Sequence, residues 1–181
     1  MPGLHVDIYS LTPSWFFIDS LAGSYEYHQL LTDIGLAQIN PLEVNIPETL
    51  QRLDRFLPFT EDLLACLAQQ LRQSQCRLVV CDISPLGIAV AERAGITSVL
   101  IENFTWDWIY DGYRVLDDRF AGHSEILKNI FAKASFRIQI QPNCSPQHSD
   151  LTTGPVSRKP KTSKLETRTQ LGIPDCKKLV L

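Results

Sequence analysis

At 181 residues and 20.5 kDa, the chain has the length of about one domain, enough to bury a core without a disulfide or metal staple. With 44% hydrophobic and 20% charged residues and a mean hydropathy of -0.05, it lies in the globular range, away from disordered, coiled-coil and collagen-like compositions. The net charge of -3 is unevenly spread: residues 1–157 carry 10 basic and 18 acidic side chains, residues 158–181 carry 7 and 2. The acidic body, with no basic residues interleaved among aromatics, argues against nucleic-acid binding. The basic end, where Arg158, Lys159, Lys161 and Lys164 stand near Pro155 and Pro160, could attract phosphate or an anionic membrane surface, but reads first as a solvated linker.

No apolar run approaches the roughly 18 residues a transmembrane helix needs. Met1-Pro2-Gly3 leads into Leu4 without a basic or apolar leader, so a cytoplasmic location is expected. Five cysteines, Cys66, Cys76, Cys81, Cys144 and Cys176, form an odd set with no C-x-x-C spacing; free thiols and no zinc are expected.

Residues 4–9 alternate apolar and polar as a strand does, and Thr12-Pro13 ends the run. Residues 14–21 read as a short helix or turn, residues 23–44 as irregular with a strand-like piece near 35–39, and Asn40-Pro41 as a turn. Pro47 opens a helix to about Leu57. Thr60 caps another, whose Leu63, Leu64, Leu67 and Leu71 share one face to about Ser74. Residues 77–81 form a nearly continuous apolar run, the pattern of a strand buried on both faces of a parallel sheet. Ser84 and Pro85 open a helix that Gly95 closes, and residues 97–101 make the next strand. Strand, helix, strand in this order predicts a right-handed crossover and an α/β, Rossmann-like parallel sheet with flanking helices. An aromatic stretch over 104–113 follows, then an amphipathic helix through Ile126, Leu127, Ile130, Phe131 and Ala134, and a strand at 136–140. A long loop to about 161 precedes a short helix at 163–171, a turn at 172–174 and an apolar run to Leu181.

In open parallel sheets ligands bind beyond the carboxyl ends of the strands. Two such ends are readable, at Asp82-Ile83-Ser84-Pro85 and at Glu102-Asn103-Phe104-Thr105-Trp106-Asp107. Asp82, Asn103 and Asp107 are expected to open toward one cleft with Trp106 or Tyr110 as a wall, a combination suited to sugar hydroxyls and apolar sugar faces. The structural reading competes: Asp82 and Ser84 can simply cap a helix, and the aromatic run can be core. His28 and His123 have no sequence neighbour suggesting a catalytic or metal set. No phosphate-loop or G-x-G-x-x-G motif is present, so no nucleotide cofactor is implied.

At Val80-Cys81-Asp82-Ile83-Ser84-Pro85-Leu86 and Asn103-Phe104-Thr105-Trp106-Asp107-Trp108-Ile109-Tyr110, the chain resembles the amino-terminal half of glycosyltransferase-like proteins of the two-Rossmann-domain GT-B class. These are similar to glycosyltransferase family 28, and they include the glycosyltransferase-like domain ahead of the kinase in plant L-arabinokinases. Leu11-Thr12-Pro13-Ser14-Trp15-Phe16-Phe17 and Thr153-Gly154-Pro155-Val156-Ser157-Arg158 extend the likeness over most of the chain. The resemblance implies that residues 1–157 are a partial amino-terminal GT-B domain lacking its first strand, and that residues 158–181 are a linker and the start of a truncated carboxy-terminal domain. Residues 4–9 would be the domain's second strand, and 179–181 would begin the first strand of the other domain.

By the same resemblance, Asp82, Ser84, Asn103, Trp106, Asp107 and Tyr110 match the acceptor-side half and are candidate substrate-binding residues. No catalytic, metal or cofactor residue is carried over. The implied chemistry is transfer of a glycosyl group from a nucleotide-sugar donor, held by the missing carboxy-terminal half, to a carbohydrate or lipid acceptor. The chain alone is expected to be inactive. A non-enzymatic sugar- or partner-binding module and the regulatory half of a sugar-kinase fusion remain as alternatives.

Overall fold

The computed structural model of the chain describes residues 4–18, 20–21, 23–157, 160–174 and 177–178. Its framework is a four-stranded, all-parallel sheet in the order β5 (Leu78–Asp82), β6 (Thr97–Glu102), β7 (Phe136–Ile140), β8 (Leu151–Thr153). Parallel neighbours require crossover connections. Here α4 (Pro85–Ala94) joins β5 to β6, and α5 (Trp106–Gly112) with α6 (Phe120–Phe131) joins β6 to β7. The α/β class expected from the crossover pattern is the one observed.

Before this sheet come β1 (Asp7–Ser10) and β2 (Glu26–Gln29), a parallel pair flanking α1 (Ser14–Ile18). The hairpin β3 (Gln38–Asn40) and β4 (Glu43–Val44) follows, then α2 (Ile46–Phe56) and α3 (Glu61–Gln73). Both α2 and α3 begin at side-chain caps. Asn45 Oδ1 accepts the Glu48 N–H at 3.1 Å and Thr60 Oγ1 the Leu63 N–H at 3.3 Å, each satisfying a donor that the first helical turn leaves free. Gly95 closes α4 at φ 69°, a left-handed conformation that glycine adopts without a Cβ penalty. The last helix, α7 (Lys164–Gln170), carries a reciprocal capping box between Ser163 and Glu166.

Two apolar clusters hold these pieces together. The larger packs Leu50 and Leu53 of α2 and Phe120, Leu127 and Phe131 of α6 against Cys81, Leu100 and Tyr110. The smaller, Ala68, Leu71, Leu86 and Val90 between α3 and α4, also receives Tyr9 and Leu30 and so anchors the β1–β2 pair.

Three expectations need correction. β5 is an edge strand, with Leu78 49% and Val80 57% exposed; its apolar run covers the helices with Val79 and Cys81 only, because side chains alternate between faces. The segment 141–161 is not one loop, since Leu151–Thr153 pairs with β7. The irregular stretch 23–44 contains β2, whose composition, Glu-Tyr-His-Gln, carries no apolar alternation for a sequence reading to detect. The expected strand start at 179–181 lies outside the described residues.

The usual doubly wound order, 3-2-1-4-5-6, places a central strand between the second and the fourth. Here β1–β2 and β5–β8 remain separate sheets, and no described strand pairs with the outer edge of β5.

Candidate site at the carboxyl ends of two parallel strands

β5 and β6 end side by side, with Asp82 opposite Ile101. The Ile83 N–H still reaches the Ile101 carbonyl at 3.3 Å, and Ile83 then turns the chain into α4 at φ 45°, an unfavourable conformation for a β-branched residue. Ser84 caps α4, its Oγ accepting the Gly87 N–H at 3.2 Å and lying 3.3 Å from the Thr32 carbonyl, to which it donates. Helix and strand are in close contact: a Cβ on Gly87 would stand 2.7 Å from Cys81 Sγ. Burial pushes the Cys81 thiol pKa up to about 12, which leaves it a packing group rather than a nucleophile.

The segment after β2 supplies residues that sequence reasoning missed. Thr32 accepts from Ser84, and the Gly35 carbonyl accepts the Tyr110 hydroxyl at 2.7 Å. Between them Asp33 is brought to the same strand ends. Burial raises its carboxyl pKa above the usual aspartate range, the charge of Asp82 raises it further, and the Gly35 N–H draws it partly back. Asp82 keeps much of its surface exposed, yet partial desolvation raises its carboxyl pKa as well. The only sequence signal for Asp33 was the turn chemistry of Asp33-Ile34-Gly35, with Gly35 at φ 58°.

Asp33, Ile34, Pro85, Trp106 and Tyr110 line one narrow crevice that is too tight for a water molecule. Trp106 stacks on Tyr110 with ring centroids 5.7 Å apart, and Phe104 meets its edge at 5.5 Å. Trp106 Nε1 is buried and has no hydrogen-bond partner, as is Asp107 Oδ1. Unsatisfied buried polar atoms cost about 1–3 kcal/mol each and in native proteins call for a water, a ligand or strain.

The six candidates therefore divide. Asp82 stands at the β5 end and couples electrostatically to Asp33, and Trp106 lines the crevice. Ser84 is occupied as a cap, and Tyr110, 1% exposed, is a core ring whose hydroxyl is satisfied. Asn103 is exposed, with its carbonyl accepting the Cys144 N–H at 2.8 Å. None of Asp82, Asn103 and Asp107 lines the crevice, so this crevice is not the single cleft expected for them. Trp108 is 43% exposed and lies outside both core clusters. Glu102, also at this strand end, is buried against Gln139 Nε2 at 3.0 Å and Arg137 at 3.6 Å, a structural ion pair.

The chain is 27% identical over 180 residues to an L-arabinokinase of Arabidopsis thaliana, an alignment covering 94% of this chain and 17% of that protein. The chain thus spans about a sixth of the relative it matches. No protein-family model matches it. No solved structure matches it. Among the described residues no helix is long and apolar enough to cross a membrane.

Proposed function

We propose that this chain is a sugar-recognising, glycosyltransferase-like module, the acceptor-side half of a two-Rossmann unit, with no turnover of its own. One observation carries the reading: at the carboxyl ends of parallel strands, Asp33, whose pKa the nearby Asp82 charge raises, shares a crevice with the indole of Trp106, whose N–H has no partner. Carboxylates accept hydrogen bonds from sugar hydroxyls, and an indole packs on the apolar face of a sugar. The crevice itself is too narrow for a sugar ring, so binding is expected over its mouth, where Asp82 is exposed and Trp106 partly so. Similarity to an L-arabinokinase supports a sugar ligand.

In a completed unit the bond from the donor's anomeric carbon to the nucleotide diphosphate breaks and a bond to an acceptor oxygen forms. The acceptor's hydroxyl proton passes to a carboxylate, a role that fits Asp33 or Asp82, whose raised pKa values make them stronger bases than an ordinary aspartate. The second reading, a binding or regulatory half of a sugar kinase, is favoured by the identity of the relative and shares the same sugar site.

Calorimetric titration with L-arabinose, other monosaccharides and nucleotide sugars tests the reading. Saturable binding of a free sugar is expected, weakened about fivefold in Asp82→Asn through weakening of one hydrogen bond worth roughly 1 kcal/mol, with no nucleotide-sugar turnover. Turnover near 1 per second by the isolated chain would contradict the half-site reading, and absence of any sugar binding would contradict the site.

A further inference from the structure

Away from this site, the β1–β2 pair gathers four side chains that are scattered in sequence. Asp7 stands opposite Glu26 and Tyr9 opposite His28, and because side chains alternate along a strand, His5, Asp7 and Tyr9 share a face with Glu26 and His28. His5 Nε2 lies 3.7 Å from Asp7 Oδ1 and 3.8 Å from Glu26 Oε1, and His28 Nε2 lies 3.0 Å from Asp7 Oδ1. Ligand atoms of His5, Asp7 and Glu26 all fall within 4.8 Å of one another. The His28 ring is fixed by stacking on Tyr9, centroids 4.5 Å apart and planes 17° from parallel.

Two features of this face suit a cation. Like charges directly opposite on neighbouring strands are destabilising, and Asp7 and Glu26 occupy such positions. The spacing also suits a particular ion. Metal–ligand distances near 2.0–2.2 Å in a tetrahedral zinc site put neighbouring donor atoms roughly 3.3–3.6 Å apart, close to the 3.7 and 3.8 Å separations around His5.

We propose that His5, Asp7 and Glu26 form a binding site for a zinc-class divalent transition ion, with His28 as a positioning residue that holds the Asp7 carboxylate. One imidazole and two carboxylates leave a tetrahedral ion one open position, the arrangement of sites that keep a water or an exchangeable ligand. A histidine hydrogen-bonded to a ligating carboxylate is a familiar supporting partner. Hard ions such as Mg²⁺ and Ca²⁺ seek more oxygen ligands than this face offers. The expectation of no zinc rested on spacing along the chain, and that spacing holds no trace of a set built by H-x-D at the entry to one strand and E-x-H on the next.

The test is titration of the tag-free full chain with Zn²⁺ by calorimetry, with elemental analysis after dialysis and circular dichroism to confirm folding. About one zinc per chain is expected, with Mg²⁺ unable to compete. Affinity should drop at least tenfold in Glu26→Gln and in His5→Ala, both exposed positions, and about tenfold in His28→Ala. Replacing Cys66 and Cys76 by Ser should change nothing. Absence of stoichiometric zinc, or zinc binding that survives His5→Ala and Glu26→Gln but is lost with the cysteines, would overturn the proposal.

Discussion

Asp33 shows how a residue can matter while lowering stability. Its folded-state pKa is raised, chiefly by burial and then by Asp82, so the native state holds a proton that the unfolded chain releases. Stability is therefore fully present below the ordinary aspartate pKa and is lost as pH rises through the raised one, leaving a penalty at neutral pH. Asn in place of Asp33 keeps an oxygen for the Gly35 N–H and removes the charge. Thermal melts should show Asp33→Asn matching the parent at low pH and melting higher at pH 7. A variant that melts lower at pH 7 would show that the carboxylate is stabilising and that the pair is not mutually repulsive.

At the scale of elements, the strand–turn–helix unit β5–α4 was the most legible part of the chain. Apolar β-branched residues, then Ser84-Pro85 and Gly95, mark its boundaries, and each does so through local chemistry: a cap, a fixed φ, a left-handed turn. Its close packing rests on Gly87. Gly87→Ala would drive a methyl to 2.7 Å from Cys81 Sγ, and overpacking of this kind costs about 1–3 kcal/mol. A denaturant midpoint unchanged by that substitution would mean the helix can shift outward freely. The elements that escaped the sequence reading, β2 and β8, are short and polar, and owe their strand form to a paired neighbour rather than to pattern. Asp33 escaped for a related reason: its raised pKa comes from burial in the fold and from the charge of Asp82, 49 positions away in the sequence. His28 and His123 likewise have carboxylate partners, Asp7 and Asp54, that no sequence window contains.

For the whole molecule, the helices cover one face of the main sheet and leave part of the other exposed. Val80, Val99, Phe136 and Ile138 share that second face by register, and none of them belongs to either core cluster. Parallel sheets are ordinarily buried on both sides, so this face and the open β5 edge are apolar surface of the kind that promotes self-association. Val80→Lys should leave stability nearly unchanged and reduce self-association in sedimentation experiments. Leu100→Ala, one strand over but fully buried, should cost about 2–5 kcal/mol. Equal destabilisation by the two would mean that both faces are packed. Among the described residues the β1–β2 pair does not hydrogen-bond to the main sheet, and the outer edge of β5 is unpaired.

The central claim, that sugar is recognised where β5 and β6 end, is tested most directly by following amide resonances during titration with L-arabinose and related monosaccharides. Saturable shifts are expected, confined to residues 32–35, 82–86 and 102–107 and to the Trp106 indole N–H, with Asp82→Asn weakening the response. Saturable shifts elsewhere, with these segments and the Trp106 indole silent, would contradict it.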